Sequence, residues 1–269
     1  MAYYRASPSK LNTWLDCRRK FRLQYIDRVK AFDTWAHFSY GNSVHAALSA
    51  WWDLPREQRT PQAGISLVTT KWIEGGYENA EQSAAWLAQA GELVEAYLAT
   101  IDPDAEPVNR EANYSLLTSN LNLSGRLDRL DRRDGELVVV DYKTGKAVPT
   151  EDEARSSQAL ALYAAAAAYR HKEPCVQVEL HHIPSNTVAT WRHTTQSLDR
   201  HLDRMDAIGV EAAQAHADAQ AVPDSIDDIF PATTGPLCAY CPYLEQCPEG
   251  SAVTSKKLPW EGLAIAAGD

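Results

Sequence analysis

Leu121 to Lys146 reads LNLSGRLDRLDRRDGELVVVDYKTGK, and its punctuation is Asp134-Gly135. Asp-Gly between two such runs is a two-residue hairpin turn, because the favoured turn needs φ > 0 at both central positions. One arm is LNLSGRLDRLD and the other is ELVVVDYKT. With that turn, facing residues have numbers that add to 269, so Asp128 lies across from Asp141. The pair is of the non-hydrogen-bonded kind, with Cβ atoms roughly 4.5–5.5 Å apart. Two carboxylates that close repel unless something positive sits between them, and a divalent cation with oxygen ligands fits the gap. Lys143, two residues past Asp141, projects from the same face. Val138, Val139 and Val140 bury the strand that presents Asp141. Two acids and a lysine on one face of an apolar hairpin suit metal-dependent phosphodiester hydrolysis. The same residues also suit a solvated hairpin edge of alternating charge, and a turn longer or shorter by one residue would send the acids to opposite faces.

The chain around this hairpin has 269 residues, 45% of them hydrophobic, enough for one large domain or a core with an appended helical part. No apolar run approaches the roughly 18 residues of a membrane span. The N-terminus MAYYRASPSKLNTW lacks the apolar stretch of a secretory signal, so the expectation is a cytoplasmic protein with reduced thiols and no membrane partner. Its five cysteines then read as metal ligands or core residues rather than disulfides. A net charge of −10 argues against a protein that coats nucleic acid without specificity. The N-terminal segment runs the other way, with Arg5, Lys10, Arg18, Arg19, Lys20, Arg22, Arg28 and Lys30 against Asp16 and Asp27, a local hint of a polyanionic partner.

Ser7-Pro8 is a helix start, and the apolar spacing from Leu11 to Ile26 predicts a helix that carries Cys17 inside it. Gly41 to Leu48 (GNSVHAAL) begins a second helix with His45 in its first turn. Two more helices follow at 64–74 and 79–99, and a strand from Glu111 to Leu117 leads into the hairpin. The Ala-rich stretch Glu151 to Arg170 is a helix. Its Gln158 and Tyr163 are five residues apart, about 140° around the axis, so they do not share a narrow face. Strands at 175–183 and 187–193 and a helix at 198–219 complete the pattern, with Cys175 a core cysteine and His181 and His182 on opposite strand faces.

The C-terminal part changes character at FPATTGPLCAYCPYLEQCPEG, where Cys238, Cys241 and Cys247 are spaced C-x2-C-x5-C among Pro and Gly. Such a segment packs no core of its own, and three thiols in ten residues are a strong metal signal that lacks a fourth ligand. Cys17, near the other end of the chain, is the cysteine left to serve. Zinc and an iron–sulfur cluster both accept four thiolates, and the spacing does not choose between them.

Taken together, these segments resemble the PD-(D/E)XK nuclease superfamily, and within it the RecB-family exonucleases that carry an iron–sulfur cluster, similar to the AddB nuclease domain and to CRISPR-adaptation exonucleases. The resemblance runs from Ser7 to Cys247 through SPSKLNTWLDCRRKFRLQYI, GNSVHAAL, GRLDRLD with VVVDYKTGK, QALALY, and the final cysteines. It implies an α/β fold, a mixed central sheet flanked by helices. It implies one nuclease domain over residues 1–250, with a helical insertion at about 50–100 and a cluster-binding segment at 231–250, followed by a weakly ordered tail at 251–269. His45, Asp128, Asp141 and the backbone carbonyl of Tyr142 would bind Mg2+ or Mn2+, Lys143 would serve catalysis beside them, and Gln158 and Tyr163 would line the DNA path. Cys17, Cys238, Cys241 and Cys247 would hold a [4Fe–4S] cluster of structural role. The implied activity is a metal-dependent deoxyribonuclease acting on ends or single strands, in repair or processing, with a helicase or repair protein as partner. A CRISPR-adaptation role, or a non-catalytic DNA-binding protein on the same fold, are the alternatives.

Overall fold

The computed structural model of the protein describes residues 3–31 and 34–263. In chain order the elements are strand β1 (Tyr4–Ala6), helices α1 (Pro8–Asp16) and α2 (Arg18–Phe21), a π-helical turn at Arg22–Ile26, and helices α3 (Ala36–Trp52), α4 (Pro61–Lys71) and α5 (Ala80–Leu98). Strands β2 (Asn109–Leu117), β3 (Leu121–Arg133) and β4 (Glu136–Lys143) follow, then helices α6 (Glu151–Ser156) and α7 (Gln158–His171). The rest comprises β5 (Cys175–His182), β6 (Thr187–Arg192), the long α8 (Thr195–Ala221), α9 (Ile226–Ile229) and α10 (Pro248–Ser251). This is the expected fold class, a mixed sheet flanked by helices. No helix among the described residues is long and apolar enough to cross a membrane.

The chain divides into two compact units, one of residues 3–31, 115–125 and 196–258, the other of residues 34–114, 126–195 and 259–263. In the first, β1 runs parallel to the start of β3, from Tyr4↔Leu121 to Ala6↔Leu123. Its core holds Trp14 edge-on to Phe21 and Phe230, with ring centroids 5.2 and 6.1 Å apart. Ser7 caps α1 as its sequence demands, accepting the Lys10 N–H, with Pro8 in the first position. The unbroken helix through Cys17 does not form. Cys17 is extended, at φ −162° and ψ 113°, and its thiol accepts the Lys20 N–H at the start of α2. A sulfur can do the capping work of a serine oxygen here, and the break turns Cys17 out of the helical spiral.

In the second unit the strand order is β3-β4-β5-β6, with β2 paired to β3. The Asp-Gly turn closes with Arg133 facing Glu136, and Asp134 and Gly135 take φ +50° and +82°. The facing residues then run to Arg129↔Val140, in the register the turn predicts. β4 and β5 are parallel, and α6 and α7 form the crossover such a pair requires. Val138, Val140 and Tyr142 join the core built by α3, α4 and α5, while Val139 is buried with its side chain on the opposite face, where α7 packs. Burial on both faces explains the unbroken valine run.

Two further differences from the expected helices bear on the site. α3 starts at Ala36, so His45 stands near its middle rather than in its first turn. Gly41 is not a boundary. It lets the helix approach the loop after β4, where an added Cβ would meet Thr144 Oγ1 at 3.1 Å. The Ala-rich helix is split at Ser157, which is extended and caps α7 by accepting the Leu160 N–H. Of the expected tail at 251–269, residues 264–269 lie outside the described residues. Before them Leu263 is buried, and its carbonyl accepts the Trp86 indole N–H at 2.6 Å.

Candidate active site and cysteine pocket

The hairpin brings Asp128 and Asp141 to one place and adds a contact that strand pairing alone does not predict. Beyond Arg129↔Val140, Asp128 Oδ2 accepts the Tyr142 backbone N–H at 2.7 Å. The other oxygen, Oδ1, lies 3.3 Å from His45 Nδ1 on α3. Asp141 Oδ2 pairs with Lys143 Nζ at 2.6 Å, as two residues on one strand face allow. Tyr142 points the other way. Its hydroxyl accepts a hydrogen bond from the buried Arg129 guanidinium at 3.1 Å, and Arg129 Nε in turn pairs with Asp131 at 3.0 Å. The strand is thus held from below while its acids face the site.

A third carboxylate joins them. Ligand atoms of His45, Glu111 and Asp128 all lie within 4.8 Å of one another, whereas Asp141 stands beside this set on its lysine. Sequence reasoning marked Glu111 only as the start of a strand. The signal available was a lone acid opening a strand next to the hairpin, and only strand pairing gives it meaning. Glu111 is also backbone-strained, at φ +43°, a left-handed conformation that costs an L-residue roughly 1–2 kcal/mol. Arg126 Nε lies 2.6 Å from its Oε2.

The electrostatics show a site short of positive charge. Burial raises the Asp141 carboxyl above the ordinary range; Lys143 works against the shift and the Asp128 charge adds to it. Burial and then the Asp128 charge raise Glu111 likewise. At His45 burial favours the neutral ring, but the Asp128 hydrogen bond and the charges of Asp128, Asp141 and Glu111 outweigh it and raise the imidazole above its usual value. The Tyr163 phenol on α7 is pushed up to about 12, by burial first and then by Asp141 and Asp128. Gln158, at the start of α7, has a buried Oε1 without a hydrogen-bond partner.

In the first unit, Cys17, Cys238, Cys241 and Cys247 line one small pocket with Lys20. Backbone N–H groups point at the sulfurs, from Lys20 and Thr233 to Cys17 at 3.5 and 3.4 Å, and from Gly250 to Cys247 at 3.4 Å. Burial raises the Cys241 and Cys247 thiols. Among the described residues no three thiols converge within 4.8 Å as the His45 set does. Cys175 is buried in the second unit and does not line this pocket.

The family model described as the PD-(D/E)XK nuclease superfamily matches residues 5–248. Among solved structures, SSO0001 is 13% identical, with a TM-score of 0.41, over 93% of this chain and 88% of that one. A provisionally named exonuclease from Eubacterium rectale is 9% identical, with a TM-score of 0.45, over 93% and 88% of the two chains. No curated protein matches the sequence.

Proposed function

The chain belongs to the PD-(D/E)XK nuclease superfamily, and we propose that it is a metal-dependent DNA nuclease, an exonuclease of RecB type that acts on ends or single strands in DNA repair or processing. The observation that carries this reading is the convergence of His45, Glu111 and Asp128 beside the Asp141–Lys143 pair. Hard carboxylate oxygens with one imidazole suit Mg2+ or Mn2+. The raised carboxyls of Glu111 and Asp141 are what such a site looks like before a divalent charge relieves it. His45, Asp128, Asp141 and the Tyr142 backbone carbonyl would hold the ion, with Glu111 joining them.

A bound Mg2+ or Mn2+ supplies a more acidic water at neutral pH and neutralises charge on the phosphate oxygens. The chain does the rest. Asp128 cannot turn away, because the Tyr142 N–H holds one oxygen. Lys143, kept on Asp141, offers an ammonium to orient the attacking water and to offset charge that develops on the phosphate. Tyr163 lies near Asp141 and Asp128 from α7, and it and Gln158 would line the DNA path.

We assign Cys17, Cys238, Cys241 and Cys247 to a structural [4Fe–4S] cluster. The N–H groups aimed at the Cys17 and Cys247 sulfurs suit the sulfurs of such a cluster. A colourless protein with stoichiometric zinc after anaerobic preparation would sink that assignment. The nuclease reading is tested by cleavage of 5′- and 3′-labelled single and double strands with Mg2+ and with Mn2+. Asp141→Ala should abolish cleavage with the fold intact, and undiminished cutting by that variant overturns the reading.

A further inference from the structure

A groove of about 520 Å3 opens at His45 in the second unit. Helix α3 contributes His37, Phe38 and His45, helix α5 contributes Trp86 and Leu93, and the loop after β4 contributes Lys146. Phe38 presents its ring at the border of the groove, 61% exposed, whereas Phe21 and Phe230 are fully buried. The His37 ring lies beside it, tilted by 49°, with centroids 4.3 Å apart. Lys146 is exposed, and the amides of Asn42 and Gln89 also reach the groove. An aromatic face, an ammonium and amide groups together match the parts of a nucleotide: base plane, phosphate and base edge. The groove and the acid set share His45, so the groove borders the acids on that side.

Resting on the nuclease reading, we propose that this groove is a subsite for an unpaired nucleotide of a DNA single strand, its base stacked on Phe38 and its phosphate met by Lys146. The single strand is favoured for a physical reason. In a duplex each base face is covered by its neighbour, so duplex DNA offers no interior base to Phe38 without unstacking, whereas every base of a single strand has an available face. The groove volume lies in the range that encloses one small ligand.

The test reads binding in a cleavage-blocked Asp141→Asn background, with a fluorescently labelled oligo-dT strand and a blunt duplex as probes in Mg2+. Phe38→Ala should weaken single-strand binding roughly tenfold and duplex binding by less than about twofold, and Phe38→Trp should restore the loss. Lys146→Ala should weaken single-strand binding and flatten its salt dependence by about one counterion. A 2-aminopurine in the strand should be quenched by the protein with Phe38 and not by Phe38→Ala. Unchanged single-strand binding by Phe38→Ala, or equal loss for strand and duplex, overturns the subsite. Tighter binding of the matching RNA overturns its assignment to DNA. The two readings fail separately. A protein that cuts no DNA yet binds single strands through Phe38 loses the nuclease reading and keeps the subsite. One that cuts DNA with Phe38→Ala indifferent in binding loses the subsite alone.

Discussion

Asp128 grips the backbone of the strand beside it: its Oδ2 accepts the Tyr142 N–H at 2.7 Å, while its Oδ1 faces His45 Nδ1 at 3.3 Å. One carboxylate therefore ties β3 to β4 and aims at the site, so its orientation is set before any ligand arrives. The two roles separate by substitution. Asp128→Ala leaves a partly buried N–H unmade and should lower stability by about 1–3 kcal/mol as well as abolish cleavage. Asp128→Asn keeps an acceptor oxygen for Tyr142 and should recover most of the melting temperature and none of the activity. Equal melting temperatures for the two variants would refute the strand-tying role.

Glu111 sits at φ +43°, so its backbone and its carboxylate can be tested apart. Glu111→Ala and Glu111→Gly both remove the acid and should both weaken Mg2+ or Mn2+ dependence at least roughly tenfold, as loss of a ligand does. They differ only in backbone preference, and glycine tolerates the left-handed region. Glu111→Gly should therefore be more stable than Glu111→Ala by about 1 kcal/mol in denaturant titration.

Behind the site, Glu179 and His181 give an acid-sensitive support. Burial alone would raise the Glu179 carboxyl, but the His181 hydrogen bond and Arg133 outweigh it and lower it from 4.5 to about 2. Glu179 accepts from His181 Nε2 and from Arg133, each at 2.8 Å, and His181 Nδ1 is 2.8 Å from the Tyr97 hydroxyl. A carboxyl lowered on folding stabilises fully above its unfolded value and loses that contribution as pH falls through its folded value. Glu179→Gln should therefore destabilise at pH 7 by on the order of 3 kcal/mol, and its deficit should close between pH 4.5 and about 2. A deficit independent of pH across that window would show that the charge of Glu179 is not what matters.

Loss of the proposed cluster should act on stability before chemistry. Cys17 and the Cys238–Cys247 segment share one pocket in the first unit, while the acids belong to the second. Cys17→Ser should lose visible absorbance and solubility, with whatever protein remains folded still cutting DNA. Full folding with cleavage lost would contradict a structural role.

Much of this arrangement was legible in the sequence because its signals are local. The Asp-Gly turn sets the register, and the register sets which acids face each other; the observed pairing runs as the turn demands to Arg129↔Val140. The capping serine and proline at Ser7-Pro8, the valine run and the cysteine spacing act over a few residues in the same way. What was illegible depends on neighbours distant in sequence. Glu111 reads as an ordinary strand residue until β2 pairs with β3. Gly41 reads as a helix boundary until the loop at Thr144 packs against it. Cys17 fits a helical pattern, and the Thr233 N–H that meets its sulfur comes from more than two hundred residues away.

The sequence by itself therefore determined most of the elements, the hairpin register and the residue types of a charged centre, because turn dihedrals, side-chain alternation and capping are decided within a few residues. Tertiary structure alone decided that Glu111 completes a set with His45 and Asp128, that the Tyr142 N–H fixes Asp128, and that Phe38 borders a groove at His45. Those facts depend on strand and helix packing in three dimensions, where long-range burial outweighs local preference.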